Sequence, residues 1–129
     1  MSRRSKRVSA RQALGARAED RVCAFLEARG WRIVARNLRV GRREIDIVAV
    51  RGRVCAFCEV RARAWGGFVS PLATIDRAKV RRVRSAAAEW MRAARARGEL
   101  RRHAMRFDAA AVTFDEDAAG RVDYVEDAF

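Results

Sequence analysis

Two neighbouring segments of the sequence, Glu44–Val50 and Val54–Arg61, have side chains of different character at alternate positions, and a short Arg51-Gly52 step joins them. Alternation with a period of two is typical of β-strands, and a glycine in so short a connection is typical of a hairpin turn. Ile45 and Ile47 are expected to share one face of the first strand. The sequence therefore predicts an antiparallel pair of strands around which the rest of the chain must fold.

Helical patterns lie on both sides of this hairpin. Ser9 and Gln12 form a capping-box pattern that predicts the start of a first helix, and Gly30 predicts its end. Thr74 is predicted to cap a second helix over about Ile75–Arg97. The expected buried stripes are Leu14, Ala18, Val22, Phe25 and Leu26 in the first helix, and Val80, Val83, Ala87, Trp90, Met91 and Ala94 in the second.

Further strands are predicted at Trp31–Ala35, before the hairpin, and at about Arg106–Phe114 and Val122–Val125, after the second helix. This order predicts an α/β fold with a mixed β-sheet of four or five strands flanked by helices. The second helix would serve as a crossover to a strand that can lie parallel to a neighbour. A length of 129 residues is typical of one domain, so residues 1–8 are interpreted as a flexible basic arm and residues 9–129 as a single domain.

The net charge of +13 is unevenly distributed along the chain. Residues 77–106 contain eleven basic side chains and two acidic ones, whereas residues 107–129 contain seven acidic and one basic. Such a surplus predicts a polyanionic partner, nucleic acid first and an anionic membrane surface second. Arginine outnumbers lysine 27 to 2, so codon bias is an alternative explanation for part of this composition. The second helix is interpreted as a phosphate-binding face that includes Arg77, Arg81, Arg84, Arg92 and Arg95.

The three cysteines do not form a disulfide framework. Cys55 and Cys58 have C-x-x-C spacing, but residues i and i+3 of a strand face opposite sides of a sheet and cannot easily share a metal. Together with Cys23 they are predicted to be small buried apolar residues. No apolar stretch follows the basic start of the chain, and none approaches the ~20 residues of a membrane span, so a cytoplasmic location is expected.

Asp46 and Glu59 lie on the two strands of the predicted hairpin, which can bring their carboxylates within a few ångströms. Two carboxylates on one sheet face repel each other unless a cation lies between them. Mg²⁺ suits such a site because it takes one or two carboxylates and keeps several waters. Arg61, two residues after Glu59, would share its strand face. Salt bridges between these acids and nearby arginines are the alternative that the spacing leaves open.

Several motifs in order resemble the YraN family of bacterial proteins, whose signature reads approximately GEIDLIA and then FVEVKTR. The corresponding runs are Arg43–Ala49 (REIDIVA) and Ala56–Arg63 (AFCEVRAR). The resemblance covers roughly residues 12–129, nearly the whole chain. Its other matches are Gly15, Glu19, Arg36-Asn37, Lys79, Arg106-Phe107-Asp108 and Ala128-Phe129.

The family resembles the restriction-endonuclease-like fold of PD-(D/E)xK nucleases and archaeal Holliday-junction resolvases. The resemblance implies a catalytic group of Glu19, Asp46, Glu59 and Arg61. It implies Mg²⁺ or Mn²⁺ held by Asp46, Glu59 and the main-chain carbonyl of Val60. Arg63 and Lys79 would contact phosphate. Because resolvases often dimerise, a homodimer is one expected state.

Arg61 departs from the family pattern, because it replaces the lysine of the ExK motif. Arginine presents a planar, permanently charged fork, whereas lysine is a compact point charge, so arginine can bind phosphate without positioning a water. Lys79 would substitute if its helix faces the site. Arg43 replaces a glycine, which is interpreted as a change of turn. Glu44 either faces away from the neighbours of Asp46 by strand parity or lies just before the strand.

Three functions remain open at this level. The first is a nucleic-acid-binding protein of nuclease fold, acting as a Mg²⁺-dependent endonuclease on branched or single-stranded DNA. The second is a non-catalytic module that binds DNA or RNA, and the third is a protein-interaction scaffold whose charge reflects composition bias. Trp65 and Phe68 are interpreted either as a base-stacking pair or as a cover for the sheet edge.

Overall fold

The computed structural model describes residues 3–64, 76–115 and 120–129. Thr74 and the aromatic pair Trp65 and Phe68 lie outside these residues. The described elements are α1 (Arg3–Glu27), β1 (Arg32–Val40), β2 (Arg43–Arg51), β3 (Val54–Ala64), α2 (Arg77–Ala96), β4 (Ala104–Phe114) and β5 (Gly120–Val125). This order confirms the predicted α/β fold with a mixed sheet and is consistent with a restriction-endonuclease-like architecture. Neither described helix is long and apolar enough to cross a bilayer.

The described strands form one mixed sheet in the order β1-β2-β3-β4-β5. The first three are an antiparallel meander, which the alternation and the glycine turn predicted. β4 then lies parallel to β3 in a continuous register from Val54↔Ala104 to Ala64↔Phe114. A parallel neighbour requires a crossover, and α2 is part of it, as the sequence predicted. β5 returns antiparallel to β4 and is one edge of the sheet.

Helix α1 covers one face of the sheet. Ala18, Val22 and Leu26 are fully buried in a cluster with Ile47 and other strand residues. The helix ends in a Schellman motif, since the N–H of Trp31 donates to Leu26 O at 3.0 Å and the residue between has the positive φ that glycine tolerates. The predicted end is therefore confirmed.

The start of α1 differs from the prediction. The helix begins at Arg3, so Ser9 lies inside it and the capping-box start is wrong. Alanine and arginine are strong helix formers, and they extend the helix beyond a serine that could have capped it. The division into an arm of residues 1–8 and a domain of residues 9–129 stays a prediction.

Helix α2 covers the opposite face. It starts after Asp76, whose side chain accepts a hydrogen bond from the N–H of Lys79 at 2.7 Å, so the predicted start at Ile75 is wrong by two residues. Aspartate is a better N-cap than threonine, and Asp76 is closer in the sequence to the apolar stripe than Thr74 is. Below the helix, Phe57 stacks on Phe107 with ring centroids 5.5 Å apart. The buried helix residues are Val83, Ala86, Ala87, Met91 and Ala94.

Asp108 is a charged residue with no solvent exposure, in the centre of β4. Arg106 donates to both of its carboxylate oxygens at 2.9 Å, and the Tyr124 hydroxyl donates at 2.6 Å. The N–H of Asp127 donates to it at 2.9 Å. Burial raises the pKa of Tyr124, whose hydroxyl therefore remains a donor. The carboxylate joins β4, β5 and the last turn of the chain through one fully bonded group.

The three cysteines are free and buried, as predicted. Cys58 lies in the cluster under α1, whereas Cys55 lies in the cluster under α2, so the two face opposite sides of the sheet. Burial raises the pKa of Cys55 to about 12 and raises that of Cys23 as well. These thiols therefore stay protonated at neutral pH.

Candidate functional site

β2 and β3 separate at the two predicted carboxylates. Their ladder of paired residues runs from Arg51↔Val54 to Ile47↔Cys58, and Asp46 and Glu59 are the next residues beyond it. Instead of a main-chain carbonyl, the Asp46 carboxylate accepts the N–H of Val60, at 2.8 Å. A side chain thus replaces one rung of the ladder, and a fork opens in the sheet at this point.

The fork interrupts the alternation of faces along β2. Ile45 packs with Val48 in the cluster under α2, whereas Ile47 packs under α1. The prediction that Ile45 and Ile47 share a face is therefore wrong. The physical reason is local: where β2 leaves β3, the two strands no longer impose a common pleat.

Glu59 is the more buried of the two acids, with 7% of its surface exposed. Its Oε1 accepts a hydrogen bond from Lys79 Nζ at 2.6 Å, and Arg61 Nη2 is more distant, at 4.0 Å. Its Oε2 is buried and has no hydrogen-bond partner in the described part of the chain. The cation closest to Glu59 is therefore the lysine of α2 and not the arginine of its own strand.

Asp46 has an altered ionisation. Burial and, after it, the negative charge of Glu59 raise its pKa to about 7, although the hydrogen bond from the Val60 N–H opposes the shift. The charges of Glu19 and Lys79 have smaller effects on this pKa, in opposite directions. Four elements, α1, β2, β3 and α2, therefore contribute ionisable groups to one electrostatically coupled region, and its aspartate changes charge near neutral pH.

Glu19 reaches this region from α1. Its Oε2 accepts a hydrogen bond from Asn37 Nδ2 at 2.9 Å, and Arg36 Nη2 lies 3.7 Å away. Together with Asn37 and Glu44, Glu19 lines a cleft of about 330 Å³ between α1 and the first two strands. Glu44 lies within β2 and is exposed, so the alternative that it precedes the strand is wrong.

A hydrated divalent cation fits this set of donors. The unpaired Glu59 oxygen and the aspartate that resists ionisation are both groups that a cation would stabilise. Within residues 3–64, 76–115 and 120–129, no three acidic, histidine or cysteine side chains are arranged as a metal cage. Mg²⁺, which keeps several waters, suits two carboxylates, whereas a metal that needs four protein ligands does not.

The predicted phosphate-binding residues lie in three different environments. Lys79 contacts Glu59, and Arg63 is half-buried, with no hydrogen-bond partner for its Nε among the residues that the structure describes. Arg77 and Arg81 are exposed on α2. Arg84 has a different role, because it donates to the main-chain oxygen of the last residue at 2.8 Å and lies over the Phe107 ring.

Two basic residues, Arg43 and Arg82, were missed as candidates. With Arg81 and Ser85 they line a cleft of about 390 Å³ between the start of β2 and α2. The sequence signal was a basic residue three positions before Asp46 on the same strand. Its meaning depended on where α2 crosses the sheet, which the sequence pattern does not specify.

The model of the uncharacterised protein family UPF0102 matches residues 18–112. A UPF0102 protein of Sorangium cellulosum is 52% identical over 122 residues, covering 93% of this chain and 83% of that protein. The chain belongs to the UPF0102 family. Another UPF0102 protein, from Anaeromyxobacter dehalogenans, is 44% identical over 119 residues, with 92% and 85% of the two chains covered.

Membership of UPF0102 confirms the resemblance to the YraN family. A UPF0102 protein of Nitratidesulfovibrio vulgaris, 38% identical over 122 residues, covers 95% of this chain and extends the match to a further genus. The segment matched by the UPF0102 model includes Glu19, Asp46, Glu59 and Lys79. The whole acidic site therefore lies within the part of the chain that defines the family.

Proposed function

We propose that this UPF0102 protein binds nucleic acid and hydrolyses phosphodiester bonds at Asp46 and Glu59, with Mg²⁺ or Mn²⁺ as cofactor and DNA favoured over RNA. One observation carries the proposal. Two carboxylates on diverging strands, one with an unpaired buried oxygen, meet a lysine from a helix. Such a combination stabilises a cation between the acids and an anion beside the lysine.

The bound metal would polarise a phosphoryl oxygen and lower the pKa of the attacking water. The chain's own residues supply orientation and charge. Lys79 Nζ has three donors, one of them used by Glu59, and the others can hold a water or a phosphate oxygen. Arg61, with its planar fork, suits a non-bridging phosphate oxygen better than a water. Its Nε is buried and unpaired among the described residues.

The net charge of +13 supports a polyanionic ligand for the same surface. The exposed arginines of α2 lie on the helix that carries Lys79, so phosphates beside the site would meet positive potential. This attraction is sequence-independent and weakens with salt. The acidic site is the reason to propose cleavage. The net positive charge of the chain is an independent reason to propose that the substrate is a polyanion.

A second function, binding without cleavage, is favoured by a specific contact. Lys79 Nζ lies 2.6 Å from Glu59 Oε1 and neutralises a carboxylate that a metal would need. Arg61 in place of lysine also weakens the expected water-positioning group. In this alternative the site is a stable ion pair within a nucleic-acid-binding module.

The direct test is incubation of the chain with branched and single-stranded DNA, with and without Mg²⁺ or Mn²⁺. Metal-dependent cleavage is expected, and Glu59→Gln should reduce its rate at least about a hundredfold because it removes a charged metal ligand. Glu89→Gln, an exposed change on α2, is the matched control and should leave the rate unchanged. Cleavage that persists in Glu59→Gln would refute this site, and binding without any cleavage would favour the second function.

A reciprocal pair of substitutions tests whether Lys79 or Arg61 is the cation that promotes cleavage. Lys79→Arg is expected to slow cleavage about a hundredfold, whereas Arg61→Lys should change it less than about threefold, because Lys79 is the closer of the two to Glu59. Both variants keep their charge, so metal-free DNA binding, measured by fluorescence anisotropy, should stay constant. A large gain in rate for Arg61→Lys would instead make position 61 the functional one.

A further inference from the structure

The basic cleft between β2 and α2 has the character of an anion site. Arg43 comes from the start of β2, and Arg81, Arg82 and Ser85 come from α2, with Ala78 as the small residue between them. Two separate elements therefore supply its cations. Arg43, Arg81 and Arg82 have no acidic partner within the described part of the chain, and all three are exposed. Three unpaired guanidinium groups repel one another unless an anion lies among them.

The position of the cleft relates it to the acidic site. Arg43 precedes Asp46 by three residues on β2, a separation of about 10 Å along a strand. Ala78 in the cleft is the sequence neighbour of Lys79, which contacts Glu59. The cleft is therefore within a few nucleotides of a phosphate held at the carboxylates.

The opposite side of the acidic site has different chemistry. The cleft on the α1 side is lined by Glu19, Asn37 and Glu44, with no basic side chain in its lining among the described residues. A phosphate chain leaving the carboxylates would be repelled there and attracted towards α2. The charge across the site therefore differs between its two sides and gives a strand one favourable direction.

We propose that the cleft of Arg43, Arg81, Arg82 and Ser85 binds a backbone phosphate within a few nucleotides of the one held at Asp46 and Glu59. This rests on the proposed function. The ligand chemistry is a phosphate group of a nucleic-acid strand, with arginine forks and a serine hydroxyl as donors. An internal diester of a strand that continues through the site is the assigned source.

The experiment measures binding of a fluorescent 12-nucleotide single-stranded DNA in EDTA by anisotropy, at several salt concentrations. Arg82→Gln is expected to weaken binding about fivefold to tenfold at 0.1 M salt and to lower the salt slope by about one. Arg53→Gln removes the same charge from an exposed position in the turn between β2 and β3, at the other end of their ladder from Asp46 and Glu59, and should change affinity less than about twofold. Thermal melts verify that both variants are folded.

The source of the phosphate is resolved by repeating the titration with a 5′-phosphorylated strand. Equal effects of Arg82→Gln on both strands support the internal diester, whereas an effect confined to the phosphorylated strand overturns it in favour of a terminal group. Equal losses of affinity in Arg82→Gln and Arg53→Gln overturn the cleft alone and leave the proposed function standing. If wild-type protein binds neither strand at 0.1 M salt, both proposals are overturned. Arg82-dependent binding by a chain that never cleaves supports the cleft and refutes catalysis.

Discussion

The Asp46→Asn variant is expected to lose metal-dependent cleavage by about a thousandfold and, at the same time, to be more stable than the wild-type chain at pH 8. Asparagine keeps an oxygen that can accept the Val60 N–H, but it cannot carry the charge that a metal requires. The negative charge of Asp46 also destabilises the folded chain, because burial and the charge of Glu59 disfavour it. Losing function while gaining stability is the expected signature of a residue that is retained for chemistry.

The sign of the stability effect follows from the raised pKa of Asp46, about 7 in the folded chain. Its value in the unfolded chain is about 4. Below pH 4 the Asp46 carboxyl is protonated in both the folded and the unfolded chain, so it does not lower the free energy of unfolding. Between pH 4 and 7 the folded chain holds the proton that the unfolded chain has released, so stability falls as pH rises. Above pH 7 the cost reaches its full value, on the order of 2–4 kcal/mol.

Thermal melts of the two proteins at pH 5 and pH 8, without metal, measure this difference. The gain in melting temperature for Asp46→Asn should be several degrees at pH 8 and should be much smaller at pH 5. Saturating Mg²⁺ should narrow the gap at pH 8, since the cation stabilises the ionised wild-type carboxylate. Asp123→Asn, an exposed change on β5, is the control. A gain in melting temperature that is the same at pH 5 and pH 8 would contradict the raised pKa of Asp46.

The Asp108→Ala variant is expected to have the largest effect on folding. It removes the acceptor of Arg106, the Tyr124 hydroxyl and the Asp127 N–H at once, and it leaves those donors at least partly buried. Breaking a buried pair on one side costs about 3–5 kcal/mol. The melting temperature should therefore fall by more than about 10 °C.

The chain contains a matched control for this prediction. Arg121 and Asp123 on β5 have the same Arg-x-Asp spacing as Arg106 and Asp108, but their side chains are 65% and 42% exposed. Asp123→Ala should change the free energy of unfolding by less than about 0.5 kcal/mol. Chemical denaturation of both variants gives the comparison. Similar losses of unfolding free energy in Asp108→Ala and Asp123→Ala would mean that burial does not determine the strength of the Asp108 network.

Local patterns were sufficient for most of the fold. Period-two alternation and a glycine turn predicted β2 and β3, and helical spacing predicted the buried faces of both helices, because burial on one side imposes those periods. The helix starts were less accurate. Aspartate caps a helix more strongly than threonine does, and α2 starts after Asp76.

The candidate site was predictable in its acids but not in its cations. Asp46 and Glu59 follow from the register of a hairpin, a local property. The contact of Lys79 with Glu59 joins residues that are far apart in the chain, and the cleft at Arg43 needs the same crossover helix. Ile45 and Ile47 face opposite sides of the sheet on either side of Asp46, which accepts the Val60 N–H, and no periodicity encodes that hydrogen bond. Long-range geometry therefore determines the part of the site that binds anions.

The buried cysteines give this chain an internal set of probes for partial opening. Cys23 on α1, and Cys55 and Cys58 on β3, are 5%, 0% and 1% exposed, so a thiol reagent in solution meets them only when a layer separates. Reaction at Cys23 reports detachment of α1, and reaction at Cys55 reports exposure of the face beneath α2. Modification rates at the separate thiols, read by mass spectrometry, therefore give the opening free energies of the two helical layers without any engineered label.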